Sequence, residues 1–92
     1  MIRYTPEALD DYERLYDWLA DRDARLCDRF VATLRQTETR IAKRPLMFPL
    51  ASGGETRKCL MRFGRRVYVI YFVEDGDDQI IVRMWHGREE RR

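Results

Sequence analysis

Histidine occurs once in this sequence, at His86, and cysteine only twice, at Cys27 and Cys59. That scarcity excludes a zinc-type centre, because the three residues fit no metal-ligand spacing. Each cysteine stands at an apolar position of its own segment. A small buried thiol in a reducing compartment is the expected role. Lysine is confined to Lys43 and Lys58, which leaves few amines for acid–base work. Long apolar runs are missing as well. The longest, Val67 to Val73, is far short of the roughly 20 residues that a membrane helix needs. The opening stretch MIRYTPEALDD has no apolar segment of the kind that a secretion signal carries. There is neither a Walker motif nor a Cys/His pair. The sequence therefore predicts a cytoplasmic protein without metal, cofactor or membrane contact.

What is present is charge, unevenly placed. The formal net charge is only +2 over 92 residues. Residues 1–44 carry nine basic and nine acidic groups. Residues 57–72 carry five basic groups (Arg57, Lys58, Arg62, Arg65, Arg66) and no acid. Residues 73–82 carry four acids and no base, and residues 83–92 carry four arginines against two glutamates. Two basic segments thus flank an acidic turn. This pattern suits an anionic partner, either nucleic acid or an acidic protein segment, and is equally compatible with a solvated surface. The length predicts one domain, residues 1–92, with a core small enough that a bound partner would matter to its stability.

The first segment, MIRYT, reads as a short strand. In TPEA, Thr5 can cap a helix, Pro6 suits its first position and Glu7 favours its positive end. Leu9, Tyr12, Leu15, Tyr16 and Leu19 follow at helical spacing, with Asp10, Asp11, Glu13 and Asp17 expected mostly on the other side. After a break at ADRDARL, where Asp21 or Asp23 could cap, a second apolar stripe runs through Cys27, Phe30, Val31, Leu34 and Ile41 to a stop at Pro45. Two amphipathic helices joined so closely predict an antiparallel hairpin. The loop RPLMFPLASGGET follows, with Leu46, Met47, Phe48 and Leu50 expected to tuck onto the core; the alternative is that some of them stay exposed and bind a partner.

The periodicity then changes to that of strands: RKCLMRF, RVYVIYFVE and QIIVRMWH. A tight turn at Gly64-Arg65 and the hairpin signal Asp75-Gly76 connect them as an antiparallel meander. The middle strand is apolar on both faces and should be central, with Tyr68, Ile70 and Phe72 under the helices. Simple alternation places Ile80, Val82, Met84 and His86 on one face of the last strand, and Arg83 and Trp85 on the other. The fold class is α+β in two layers: an N-terminal strand, a two-helix hairpin, then three strands.

Three stretches, IRYTPEALDDYERLYDWL, RPLMFPLASGGETRKCLMRF and VRMWHGREER, together resemble the RelE/ParE superfamily of toxins from bacterial type II toxin–antitoxin systems. The resemblance spans almost the whole chain. It implies a RelE/ParE-like fold, a cytosolic toxin, a cognate antitoxin as protein partner and a toxin–antitoxin hetero-oligomer. It also implies one of two activities: messenger RNA cleavage in the ribosome for RelE-like members, or inhibition of DNA gyrase for ParE-like members of the kind tied to plasmid stabilisation.

The residues weigh between these. Metal-free RNA cleavage needs a base, cations for the phosphorane and an acid. RelE-like toxins use lysines, arginines and a late tyrosine. This sequence has no tyrosine after Tyr71, and arginine is a poor base. The candidates for a nuclease are Lys58, Arg62, Arg83 and His86, with His86 able to act as acid or base. An inhibitor needs only a surface, for which Arg57, Lys58, Arg62, Arg66, Arg83, His86 and Arg88 are the candidates to bind target or antitoxin, together with the C-terminal tail. A plain nucleic-acid-binding module is the third reading. The gyrase-inhibiting branch is favoured, with RMWHGREERR ending the last strand, Trp85 packed and His86 at its rim.

Overall fold

The computed structural model of the protein describes residues 1–89. In chain order the elements are β1 (Ile2–Tyr4), α1 (Pro6–Arg22), α2 (Arg25–Lys43), a single 3-10 turn (Pro45–Met47), β2 (Arg57–Phe63), β3 (Arg66–Asp75) and β4 (Asp78–His86). The fold is the expected α+β arrangement. Local chemistry accounts for the helix ends. Thr5 Oγ1 accepts a hydrogen bond from Ala8 N–H at 3.1 Å, and Pro6 occupies the first turn of α1. Asp23 Oδ1 accepts from Arg25 N–H at 3.0 Å at the start of α2. Arg44 leaves helical geometry (φ −143°, ψ 65°) ahead of Pro45.

The sheet has the order β1-β4-β3-β2. β2, β3 and β4 form the antiparallel meander, turning at Gly64 and Gly76, both at φ +60°. β1 returns to the far edge and pairs in parallel with β4, Ile2 opposite Gln79 and Tyr4 opposite Ile81. The helix hairpin covers one face. Leu15, Leu19, Cys27, Phe30, Leu34 and Ile41 pack on Cys59, Met61, Phe63, Tyr68, Ile70, Phe72, Ile81 and Met84. Phe30 is the centre of this core, with Phe63 and Tyr68 edge-on at 5.6 and 5.2 Å. Burial, working against the cation of Arg40, pushes the Cys59 thiol up to about 11, so it stays protonated and inert at neutral pH.

Two expectations are corrected here. Leu46, Met47 and Leu50 do not tuck in; they are 70%, 68% and 55% exposed. Only Phe48 packs inward, edge-on to Phe72 at 5.7 Å. Arg57 clamps the loop at that point by donating to Phe48 O at 2.7 Å, and the helices already close the remaining core. Leu9 is exposed, whereas Asp11 is 4% exposed and sits in the buried stripe Ala8, Asp11, Leu15, Leu19 of α1. Thr37 is buried in α2, its hydroxyl satisfied by Thr33 O at 2.9 Å.

Candidate functional site

β4 does not alternate simply. Tyr71 pairs with Arg83, but Phe72 pairs with Ile81, so Val82 is an extra residue, a β-bulge. Gln79 and Ile81 face the helices before the bulge, and Met84 and His86 face them after it. The expected face of Ile80, Val82, Met84 and His86 is therefore split: Ile80 stands opposite Val73, away from the helices. Arg83 and Trp85 stand on the uncovered face, as expected, with Trp85 edge-on to Tyr71 at 5.9 Å.

The upper part of β4 lies beyond the reach of β1. Its outward backbone groups would be orphaned, and side chains from α1 and the C-terminal turn satisfy them. Thr5 Oγ1 donates to Val82 O at 3.0 Å. Asp11 Oδ2 accepts from Met84 N–H at 2.9 Å. Glu89 Oε1 accepts from His86 N–H at 2.8 Å. The carboxylates are in turn held by arginines. Arg83 binds Asp11 through two nitrogens at 2.7 and 3.1 Å, and Arg14 bridges Asp11 (3.3 Å) and Glu89 (2.5 Å). Burial works against the Asp11 carboxylate, but its bonds from Arg83, Met84 N–H and Arg14 outweigh it and hold its pKa below the ordinary value. Glu89 is likewise lowered, its burial outweighed by Arg14 and the His86 amide.

The sequence candidates fall into three places. Lys58 and Arg62 share the uncovered sheet face with the exposed Leu60, and Arg83 joins them from β4 beside Trp85, at 4.8 Å from its ring. Arg57 is occupied by Phe48 O and Glu74. Arg66, His86 and Arg88 line a separate pocket of about 810 Å³ between α1 and the ends of β3 and β4. Its other walls include Arg14, Trp18, Arg65 and Tyr68. Trp18 is flanked by the guanidinium groups of Arg22 at 3.5 Å and Arg66 at 5.1 Å. Arg91 and Arg92, part of the expected binding tail, lie outside the described residues. Sequence reasoning missed Asp11, Arg14 and Glu89. The available signal was a carboxylate inside the apolar stripe of α1.

His86 packs edge-on against Tyr68 at 5.3 Å, and its Nδ1 accepts from Arg88 N–H at 3.1 Å. Burial, helped by Arg88 and Arg66 and opposed by Glu89, lowers its pKa. The folded protein thus holds His86 neutral with Nδ1 as an acceptor. As pH falls below about 6.5 the unfolded chain takes up this proton first, so stability declines there. A His86→Gln variant should lose that part of the pH dependence. It should keep the separate decline below about pH 4, where Asp11 and Glu89 lose the stability they contribute when ionised. Thermal melts from pH 3 to 8 check both.

The turn after His86 depends on Gly87. Its N–H donates to Val67 O at 2.7 Å, and a Cβ there would stand 2.9 Å from the same oxygen. Gly87→Ala should cost about 1–3 kcal/mol through forced backbone movement, measurable as a lower midpoint in urea.

Among the described residues there is no cluster of three or more His, Cys, Asp or Glu able to hold a metal, and no helix long and apolar enough to cross a membrane. Comparison with known proteins completes the picture. Residues 2–91 match the model of the ParE toxin of type II toxin–antitoxin systems, parDE. The chain belongs to the ParE toxin family. Toxin RelE1 of Caulobacter vibrioides is 32% identical to this ParE-family chain over 81 residues, covering 88% of the chain and 86% of that protein. A solved chain described as the chromosomal ParDE toxin–antitoxin system from P. aeruginosa superposes with a TM-score of 0.72 at 14% identity, covering 92% of both chains. The protein is thus a type II toxin of the ParE/RelE kind, and such a toxin has an antitoxin as its partner.

Proposed function

We propose that this ParE-family toxin acts as a single-domain cytoplasmic binding protein that inhibits DNA gyrase and does not cleave RNA. The observation that carries this reading is the dispersal of the acid–base candidates. Lys58 and Arg62 stand on one face of the sheet and His86 on the other, while Arg83 is held to Asp11 through its Nε and Nη2. General acid–base catalysis needs its groups within about 3 Å of the same reacting atoms. The uncovered face, with Leu60, Tyr71 and Trp85 among Lys58, Arg62 and Arg83, suits an acidic amphipathic segment of the antitoxin. The pocket with Arg66, His86 and Arg88 suits the target.

The second reading is a RelE-like ribosome-dependent endoribonuclease. The similarity to Toxin RelE1 and the single histidine at the pocket favour it. Purified toxin added to a gyrase supercoiling assay tests the choice. Inhibition is expected for the wild type and, weakened by no more than about tenfold through the loss of one pocket contact, for His86→Gln. A nuclease using His86 would instead leave supercoiling normal, and its RNA cleavage would fall about 10²–10⁴-fold in the variant.

A further inference from the structure

We infer that Asp11 is a positioning residue for the binding face: it holds the bulge at Val82 and so keeps Arg83 and Trp85 on the uncovered side of the sheet. The inference rests on the proposed reading of that face as the antitoxin's.

The reasoning begins with parity. Residues of a strand alternate between faces, and one inserted residue exchanges the faces of everything beyond it. Gln79 and Ile81 lie under the helices. Continued alternation would send Arg83 and Trp85 under them too, and would put Met84 and His86 outside. The bulge at Val82 reverses this. Nothing in strand pairing alone compels it, because β1 ends at Tyr4, opposite Ile81.

Side chains of α1 take over where β1 stops. Thr5 binds Ile81 O through its N–H and Val82 O through its hydroxyl, both at 3.0 Å, which marks the start of the bulge. Asp11 binds the far side, taking Met84 N–H and the Nε and Nη2 of Arg83. One carboxylate thus reads two consecutive residues, the side chain of Arg83 and the amide of Met84. That combination exists only in the bulged register. It also explains a charge in the apolar stripe of α1. Asn could not replace it, since one amide oxygen cannot accept all four donors, including Arg14, and its NH₂ would face a guanidinium. The Arg83 guanidinium held in this way lies against the Trp85 ring, which links Asp11 to the exposed surface.

The test is a double-mutant cycle with Asp11→Asn and Arg83→Gln, in a Trp18→Phe background so that Trp85 alone reports fluorescence. The probe is the antitoxin encoded by the reading frame beside that of the toxin. With folding verified by melting, Asp11→Asn should raise the antitoxin Kd about tenfold, a typical coupling between neighbouring groups. It should also make Trp85 more accessible to acrylamide. In the Arg83→Gln background the same change should cost distinctly less than about tenfold, because the route through Arg83 is gone and only the hold on Met84 N–H remains. An Asp11→Asn protein that melts lower but keeps both its Kd and its Trp85 quenching would overturn the inference, leaving a purely structural carboxylate. Altered quenching with unchanged Kd would uphold the positioning and overturn the antitoxin reading of the face. Should Asp11→Asn fail to fold, Arg83→Gln alone decides: unchanged Trp85 quenching and Kd would overturn the inference.

Discussion

Replacing Phe30 with alanine should destabilise the toxin by about 3–5 kcal/mol. Phe30 is fully buried and touches Tyr12, Phe63 and Tyr68, so it joins both helices to β2 and β3. Two of its ring neighbours, Phe63 and Tyr68, also lie against each other at 6.4 Å, which limits how far they can move into the space. Native domains have only about 5–15 kcal/mol in total, and one of 92 residues belongs toward the lower part of that range. The variant alone should therefore be largely unfolded at 37 °C. Antitoxin at 100 times its Kd would return about 2.7 kcal/mol by binding only the native state. Urea titrations with and without antitoxin measure both quantities. A variant with a near-native midpoint would mean that the core closes without Phe30.

The second large effect concerns how the antitoxin binds. If Leu60, Tyr71 and Trp85 supply most of the affinity while Lys58, Arg62 and Arg83 orient the partner, salt should act mainly on association. Raising ionic strength from 0.1 to 1 M shortens the screening length from about 10 to 3 Å. The association rate should then fall about tenfold or more, with the dissociation rate changing far less. Charge reversal at Lys58 and Arg62 together should give a similar loss at low salt, and salt should then no longer slow association. Stopped-flow kinetics separate the two rates. An affinity that collapses by several orders of magnitude through faster dissociation would mean that charge, and not apolar contact, holds the complex.

Much of the architecture was legible because it depends on short-range chemistry. Thr5-Pro6, Pro45 and Asp75-Gly76 each set a backbone conformation by their own stereochemistry. The alternation of Tyr68, Ile70 and Phe72 needs only a two-residue period. The parallel pairing of β1 with β4 was not legible, since three residues carry too little pattern to name a partner. The bulge at Val82 was hidden for a different reason. QIIVRMWH is compatible with either parity, and the groups that choose between them, Thr5 and Asp11, lie more than 70 residues earlier in the chain. The same separation concealed the site. Alternation already set His86 and Arg83 on opposite faces of the last strand, but it did not say which face Lys58 and Arg62 of the neighbouring strands would share; the sheet stands between them and His86. Exposure of Leu46, Met47 and Leu50 could not be read from hydrophobicity, because all four side chains are apolar and it is the folded loop that turns Phe48 onto Phe72.

The central proposal is that this ParE-family protein acts by binding, its acid–base candidates among the described residues being dispersed over both faces of the sheet. Mapping of messenger RNA 5′ ends in cells shortly after the toxin is induced, with plasmid supercoiling followed in the same cultures, tests it most directly. A gyrase-binding toxin leaves the transcript ends unchanged while supercoiling is lost. New ends phased with codons, appearing while supercoiling stays normal, would contradict the claim.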